Sequence, residues 1–315
     1  MLLFSYLQHP YLFLIFAPRM KKRLSDLWIG HLCMLGAEVV WGLMSPIGKD
    51  AMTHGISGFN MVSFRVFGAA ICFWIASFFT TSEKVSRRDL FLLFFAGLQS
   101  IVFNQCCFIV GLSLTSPINS SIVTTSMPIF TLILGILFMH ERLTLTKTFG
   151  MVCGITGAIS LILGSVSGST GEGNIWGDIL CMIAQFSFAS YLALYQGLVK
   201  RYSTITCMKW MFLFSSIVIM PFTASSLADL AWTEITLKTW AEVSFVVIAC
   251  TFLSYLLMMR GQKSLTPTQV SVYNYVQPIV ATIASTCMGL ALFGWMQALA
   301  ILLIFSGVRL VALKR

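Results

Sequence analysis

The chain has 315 residues, of which 57% are hydrophobic and only 10% charged, with a mean hydropathy of +0.88 and a formal net charge of +9. Soluble globules carry about a quarter charged residues, so composition excludes one and makes the lipid bilayer the solvent. The positive excess tracks membrane topology, as its placement shows below, and lends no support to a nucleic-acid role.

In chain order, an apolar leader comes first. Gln8, His9 and Pro10 interrupt it, and no small-residue cleavage site follows it. Residues 1–27 are read as a cytoplasmic leader, with Met20 as an alternative start or a surface-lying segment as the other reading. Ten apolar stretches follow, each near the length a helix needs to cross a ~30 Å hydrocarbon core. They lie at 30–49, 57–79, 89–112, 116–139, 146–164, 175–197, 207–227, 239–260, 266–289 and 293–312. A Gly/Ser-rich segment at 165–174 separates a first unit, 28–164, from a second, 175–315.

Cytoplasmic loops collect Lys and Arg. Arg19, Lys21, Lys22 and Arg23 precede the first stretch; Lys84, Arg87 and Arg88 follow the second; Arg142 and Lys147 follow the fourth. Lys200, Arg201 and Lys209 follow the sixth, Arg260 and Lys263 the eighth, and Arg309, Lys314 and Arg315 close the chain. Every second connection is therefore basic, which places both termini in the cytoplasm. Lys49 and Lys238 fall on the opposite side, and Arg65 lies inside a stretch.

The chain also repeats itself. A shift of 150 residues carries Pro117 and Pro128 onto Pro267 and Pro278, Gly111 onto Gly261, and Gly157 onto Gly307. Internal duplication of a very apolar chain is a recurring plan of membrane transporters. The nine cysteines show no C-x-x-C metal spacing and read as small apolar packing residues. No zinc motif, phosphate loop or G-x-S-x-G elbow occurs, so no catalytic residue, metal or cofactor is expected.

Trp41-Gly42, Phe64-Arg65, Gly111 before Thr115-Ser116-Pro117, Pro128, Glu141-Arg142-Leu143-Thr144, Gly150 and Gly157 stand in the first half. Gly261, Thr266-Pro267, Pro278 and Gly307 repeat them less faithfully. In these the chain resembles the EamA-like branch of the drug/metabolite transporter superfamily, over about residues 28–312. The resemblance implies an all-α integral membrane protein of ten transmembrane helices, arranged as two inverted five-helix repeats. It also implies a midplane cavity lined largely by spans 1, 3, 4, 6, 8 and 9. Ala291 stands where Glu141 would recur, so Glu141 is read as organising the turn after span four.

Glu38 is the sharpest candidate for the cavity. A mid-span carboxyl costs on the order of 2.5–3.5 kcal/mol to insert, so it faces protein or water. There it carries a coupling proton or, ionised, binds a substrate amino group; Trp41 shares its face. In span nine Gln269, Tyr273 and Gln277 recur every four residues with Asn274 beside them, a face too polar for lipid. Asn119 in span four, Asn104 and Gln105 in span three, and Gln185 in span six join this set, while Trp41, Phe188 and Tyr191 offer flat apolar walls. Pro117, Pro128, Pro267 and Pro278 mark helix breaks. Arg65, in a span not expected to line the path, is assigned a structural partner.

The expected function is secondary transport of a small polar or amphipathic metabolite such as an amino acid, by alternating access across the plasma membrane. Family analogy favours export. The partners are the bilayer and a small-molecule solute, not nucleic acid, with homodimerisation left open. The rivals are an intramembrane enzyme acting on a lipid or isoprenoid and, within the superfamily, a nucleotide-sugar carrier.

Overall fold

The computed structural model describes residues 10–115, 120, 123–139, 144–165 and 175–287, together with 299, 302, 303, 305–307, 309 and 310. Every regular element among them is helical. The main ones are α1 (Pro10–Thr53), α2 (Gly58–Phe78), α3 (Arg87–Leu114), α4 (Met127–Met139), α5 (Leu145–Ser165), α6 (Ile175–Leu194), α7 (Thr204–Ala228), α8 (Leu237–Ser264) and α9 (267–287), with a short helix at Gln196–Val199 between α6 and α7. Among the described residues six helices are long and apolar enough to cross a membrane: the Asp26–Thr53 part of α1, with α2, α3, α6, α7 and α8. Within α4, Met127–Phe138 is a shorter apolar helix.

The surface inverts the pattern of a soluble protein. Phe78, Phe91, Phe138, Phe149, Trp176 and Phe222 are exposed, while Glu38, Arg65, Gln105, Gln185 and Asn274 are buried. In hydrocarbon the apolar side chains face the solvent and polar groups turn inward to find partners.

Local chemistry sets the helix ends. Ser57, Ser86, Ser203, Thr236 and Thr266 each accept a hydrogen bond from the backbone N–H three residues further on. Each cap is worth about 1 kcal/mol. α1 stops at Gly55, whose φ of 97° is a left-handed conformation that favours glycine. At its other end α1 runs without a break from Pro10, so the helix continues through residues 10–27 of the proposed leader.

α3 and α8 have the same interior plan. In α3 a π-helical turn, Leu98–Phe103, separates Arg87–Gly97 from Asn104–Leu114; in α8 the turn Ile248–Leu253 separates Leu237–Val247 from Ser254–Ser264. Every boundary in α8 lies 150 residues after its counterpart in α3. A π turn holds one residue more than an α turn and leaves the carbonyl ladder imperfect.

Packing follows a reciprocal scheme. α1 lies against α8 and the second part of α9, α6 against α3 and α4, and α2 against α7. Close approach is allowed by glycines. A Cβ on Gly111 would meet the Gly177 carbonyl oxygen and Cys181 Sγ at 2.7 Å; one on Gly261 would meet Met34 Cγ at 2.6 Å and the Gly30 oxygen at 3.1 Å. In α5, Gly154 abuts the Tyr275 ring, and a Cβ on Gly307 would meet the Gly150 carbonyl oxygen of α5 at 2.5 Å. The small-residue face of α5 thus seats α9, as close helix packing requires.

Candidate functional site

The site is built around α9. Pro267 occupies its first turn, where a missing N–H is harmless, and Gln269 completes a capping box by accepting from the Thr266 N–H at 3.1 Å. The helix tightens to a 3₁₀ turn at Tyr273–Tyr275 before resuming at Val276. Pro278 cannot donate to the carbonyl four residues back, at Asn274. In the first half a turn at Thr125–Ser126 comes just ahead of Pro128, at the start of α4. Each of these prolines therefore follows an irregular turn.

The 3₁₀ turn decides which side chains face inward. With three residues per turn, positions i and i+3 eclipse, and Gln277 Nε2 donates to Asn274 Oδ1 at 2.6 Å. The same amide donates to Glu38 Oε2 at 2.6 Å. Asn274 Nδ2 donates to the Thr124 carbonyl at 2.8 Å and, at 3.5 Å, to Gln185 Oε1. The result is a polar chain, Glu38, Gln277, Asn274 and Gln185, joining α1, α9 and α6.

This chain forms one wall of a cleft of about 500 Å³, open solvent included. α1 contributes Trp41 and Met44, α2 Arg65, α3 Asn104, Gln105 and Phe108, and the fourth and sixth spans Thr124, Met127, Gln185 and Phe188; Tyr255, Asn274 and Gln277 complete the lining. The π turns anchor the cleft, because side chains from other helices reach their carbonyls. Tyr255 donates to the Ser100 oxygen at 2.9 Å, Trp41 Nε1 to the Cys250 oxygen at 2.8 Å, and Ser187 to the Gln99 oxygen at 2.8 Å. Trp41 packs edge-on against Tyr255 and Phe188, with centroids 5.7 and 6.2 Å away.

Residues related by the 150-residue shift meet here. Gln105 Nε2 donates to the Tyr255 hydroxyl at 3.2 Å, and the Asn274–Thr124 bond joins the other pair. Two helix ends are tied in a similar way. Lys49 Nζ donates to the carbonyls of Leu112, Ser113 and Thr115 at 2.8, 3.1 and 3.2 Å, capping the C-terminal end of α3. Gln196 Nε2 donates to the Leu265 carbonyl at 2.7 Å, just beyond α8.

Of the sequence-derived candidates, Trp41, Asn104, Gln105, Gln185, Asn274 and Gln277 line the cleft, and Glu38 lies one hydrogen bond behind Gln277. Tyr191 does not line it. Its hydroxyl donates to Gln262 Oε1 at 2.9 Å, behind Phe188. Tyr273 shares a 2.7 Å hydrogen bond with His31 Nδ1, because the 3₁₀ turn rotates it away from Gln277. Gln269 serves as a cap.

Arg65 corrects the reading in one respect. It has structural partners, donating through Nε to Thr251 Oγ1 at 3.0 Å and through Nη1 to Met44 Sδ at 2.9 Å, but it also lines the cleft, which its span was not expected to do. Thr124 is a further polar residue of span four, and Met44, Phe108, Met127 and Tyr255 carried no sequence signal beyond apolar periodicity. Pro117, Asn119 and Glu141 lie outside the described residues.

A helical bundle with an apolar exterior, enclosing a polar cleft between helices of its two halves, defines a multi-pass integral membrane protein of the transporter class. The sequence profile of the EamA-like transporter family matches residues 28–163 and again 175–313, and the chain belongs to this family. An uncharacterized transporter, YyaM, of Bacillus subtilis (strain 168) is 21% identical over 262 residues, covering 82% of this chain and 86% of its own. An uncharacterized transporter of Archaeoglobus fulgidus is 25% identical, covering 64% and 70%. The WAT1-related protein At2g40900 of Arabidopsis thaliana is 26% identical, covering 62% and 55%. A solved structure titled only as the crystal structure of a protein superposes with a TM-score of 0.69 at 16% identity, over 91% of this chain and 96% of that one, a likeness of fold.

Proposed function

We propose that this chain is a ten-helix secondary transporter, built as two inverted five-helix repeats with both termini cytoplasmic, that moves a small polar or amphipathic metabolite such as an amino acid. Export across the plasma membrane is the favoured direction. The observation that carries the reading is the cleft itself. Its polar side chains come from helices of both halves and it lies between two reciprocal groups, α1 with α8 and α9, and α6 with α3 and α4. Rocking of one group against the other gives alternating access to a central site. The ties at Lys49 and Gln196 are then the two gates, since each links the first helix of a unit to the third-helix end across the cleft.

Glu38 is the proposed proton carrier, buried and hydrogen-bonded to the amide that also faces the solute. The intramembrane-enzyme reading has less support. Among the described residues, the lining offers neither a nucleophile paired with a base nor the His, Cys or carboxylate ligands of a metal. A nucleotide-sugar carrier would need several cations against a diphosphate, whereas among the described residues the lining supplies Arg65 alone.

The test is transport by purified protein in liposomes across a panel of amino acids, amines and nucleotide sugars, with and without a pH gradient. Uptake of amino acids supports the proposal. Transport of none of them, with turnover of a lipid instead, would overturn it.

A further inference from the structure

We infer that Arg65 is a specificity-determining residue: its guanidinium holds the carboxylate of the transported solute, so the cleft selects organic carboxylates. The inference rests on the transport reading above and deepens it by naming the group the site recognises.

Arg65 is 4% exposed, and among the described residues it is the one charged side chain in the cleft lining. It takes part in none of the ion pairs formed by the described residues, which join Asp50, Asp89, Asp26 and Glu242 to other partners. Glu38, the buried carboxyl nearest the lining, is held by Gln277 instead. Of the guanidinium N–H donors, Nε reaches a hydroxyl and Nη1 a thioether, a weak acceptor. The Thr251 hydroxyl gives its own proton to the Val246 carbonyl at 2.9 Å, so its oxygen is fixed as the acceptor that orients the guanidinium.

An oriented cation buried in a membrane without a counter-charge is costly to keep. It is also the arrangement that gains most from an incoming anion, because a carboxylate pairs bidentately with the planar fork and lies in its plane. Phosphate groups would call for further cations that the lining does not supply. The rest of the lining suits the remainder of such a solute. Trp41, Phe108 and Phe188 are apolar walls, and Gln185, Asn274 and Gln277 form a neutral amide wall. Gln105 adds an acceptor: its amide nitrogen is committed to Tyr255, whose proton goes to Ser100, and among the described residues nothing donates to Gln105 Oε1, which is left for an N–H group.

The experiment compares carboxylates with their neutral counterparts in liposomes containing the full chain. The solutes are leucine, methionine and phenylalanine, each beside its amide and its decarboxylated amine, on wild type, Arg65→Lys and Arg65→Met. The expected result is uptake of the acids at least tenfold above the amides and amines in wild type. Arg65→Lys should keep part of that preference, and Arg65→Met should abolish it while unfolding at a similar temperature. Equal uptake of acid and amide by wild type overturns the role of Arg65 and leaves the transport reading intact; so does an acid preference that survives in Arg65→Met. If Arg65→Met fails to fold, the acid-to-amide ratio of wild type decides. Wild type that moves no member of the panel overturns the amino-acid transport reading, and this inference with it.

Discussion

Glu38 ends a chain of amides that begins at Gln185, and it accepts a hydrogen bond from the Gln277 amide 2.6 Å away. Replacing it with glutamine keeps the shape and removes the ionisable group. Glu38→Gln is therefore expected to fold and to exchange solute between equal pH on both sides, but to lose accumulation driven by a pH gradient. Gradient-driven accumulation at the wild-type level in that variant removes Glu38 from the coupling mechanism. A second residue-scale expectation concerns packing. Gly261 lies so near Met34 and the Gly30 carbonyl that a side chain forces α8 away from α1. Gly261→Val should lower stability by about 1–3 kcal/mol, read as a fall in the thermal unfolding midpoint in detergent; an unchanged midpoint contradicts the close contact.

At the scale of elements, the π turns of α3 and α8 do two things. Each offers carbonyls to side chains of other helices, and each sets the angular register of the half-helix that follows. One residue advances an α-helix by about 100°. Deleting one residue within 98–103 so that α3 becomes continuous should swing Asn104 and Gln105 off the cleft, break the Gln105–Tyr255 bond and abolish transport in a protein that still inserts. Retained transport in the deletion variant would show that the register after the turn does not matter. None of this was legible beforehand, because Leu98–Phe103 and Ile248–Leu253 contain neither proline nor glycine to mark a break. In α9 the four-residue spacing of Gln269, Tyr273 and Gln277 suggested one polar face; Gln269 serves as a cap, and the 3₁₀ turn separates Tyr273 from Gln277.

For the whole molecule, the two ties across the cleft predict how its ends open. Lys49 anchors α1 to the end of α3 with three carbonyl contacts, and Gln196 anchors the turn after α6 to the end of α8 with one. Lys49→Met should free the proposed outer end. With native cysteines replaced and a single cysteine at Thr124, labelling by a membrane-impermeant maleimide added outside is expected to rise several-fold over the same protein with Lys49 present. Unchanged labelling would show that Lys49 caps α3 without gating the cleft.

The amino-acid sequence by itself determined the solvent, the helical class, the duplication and the resemblance to the EamA-like family. Those follow from composition, from the length of apolar stretches and from spacings that survive along one dimension. It also placed Trp41, Asn104, Gln105, Gln185, Asn274 and Gln277 in one set, because polar groups inside a bilayer must turn toward protein or water. Tertiary structure decided which of them meet. Tyr191 and Tyr273 were claimed by Gln262 and His31, partners far away in sequence. Arg65 came into the cleft because α2 packs across to α7 and reaches Thr251 in the π turn of α8. Periodicity reports which face of a helix is polar; which neighbour that face meets depends on how helices distant in the chain pack together.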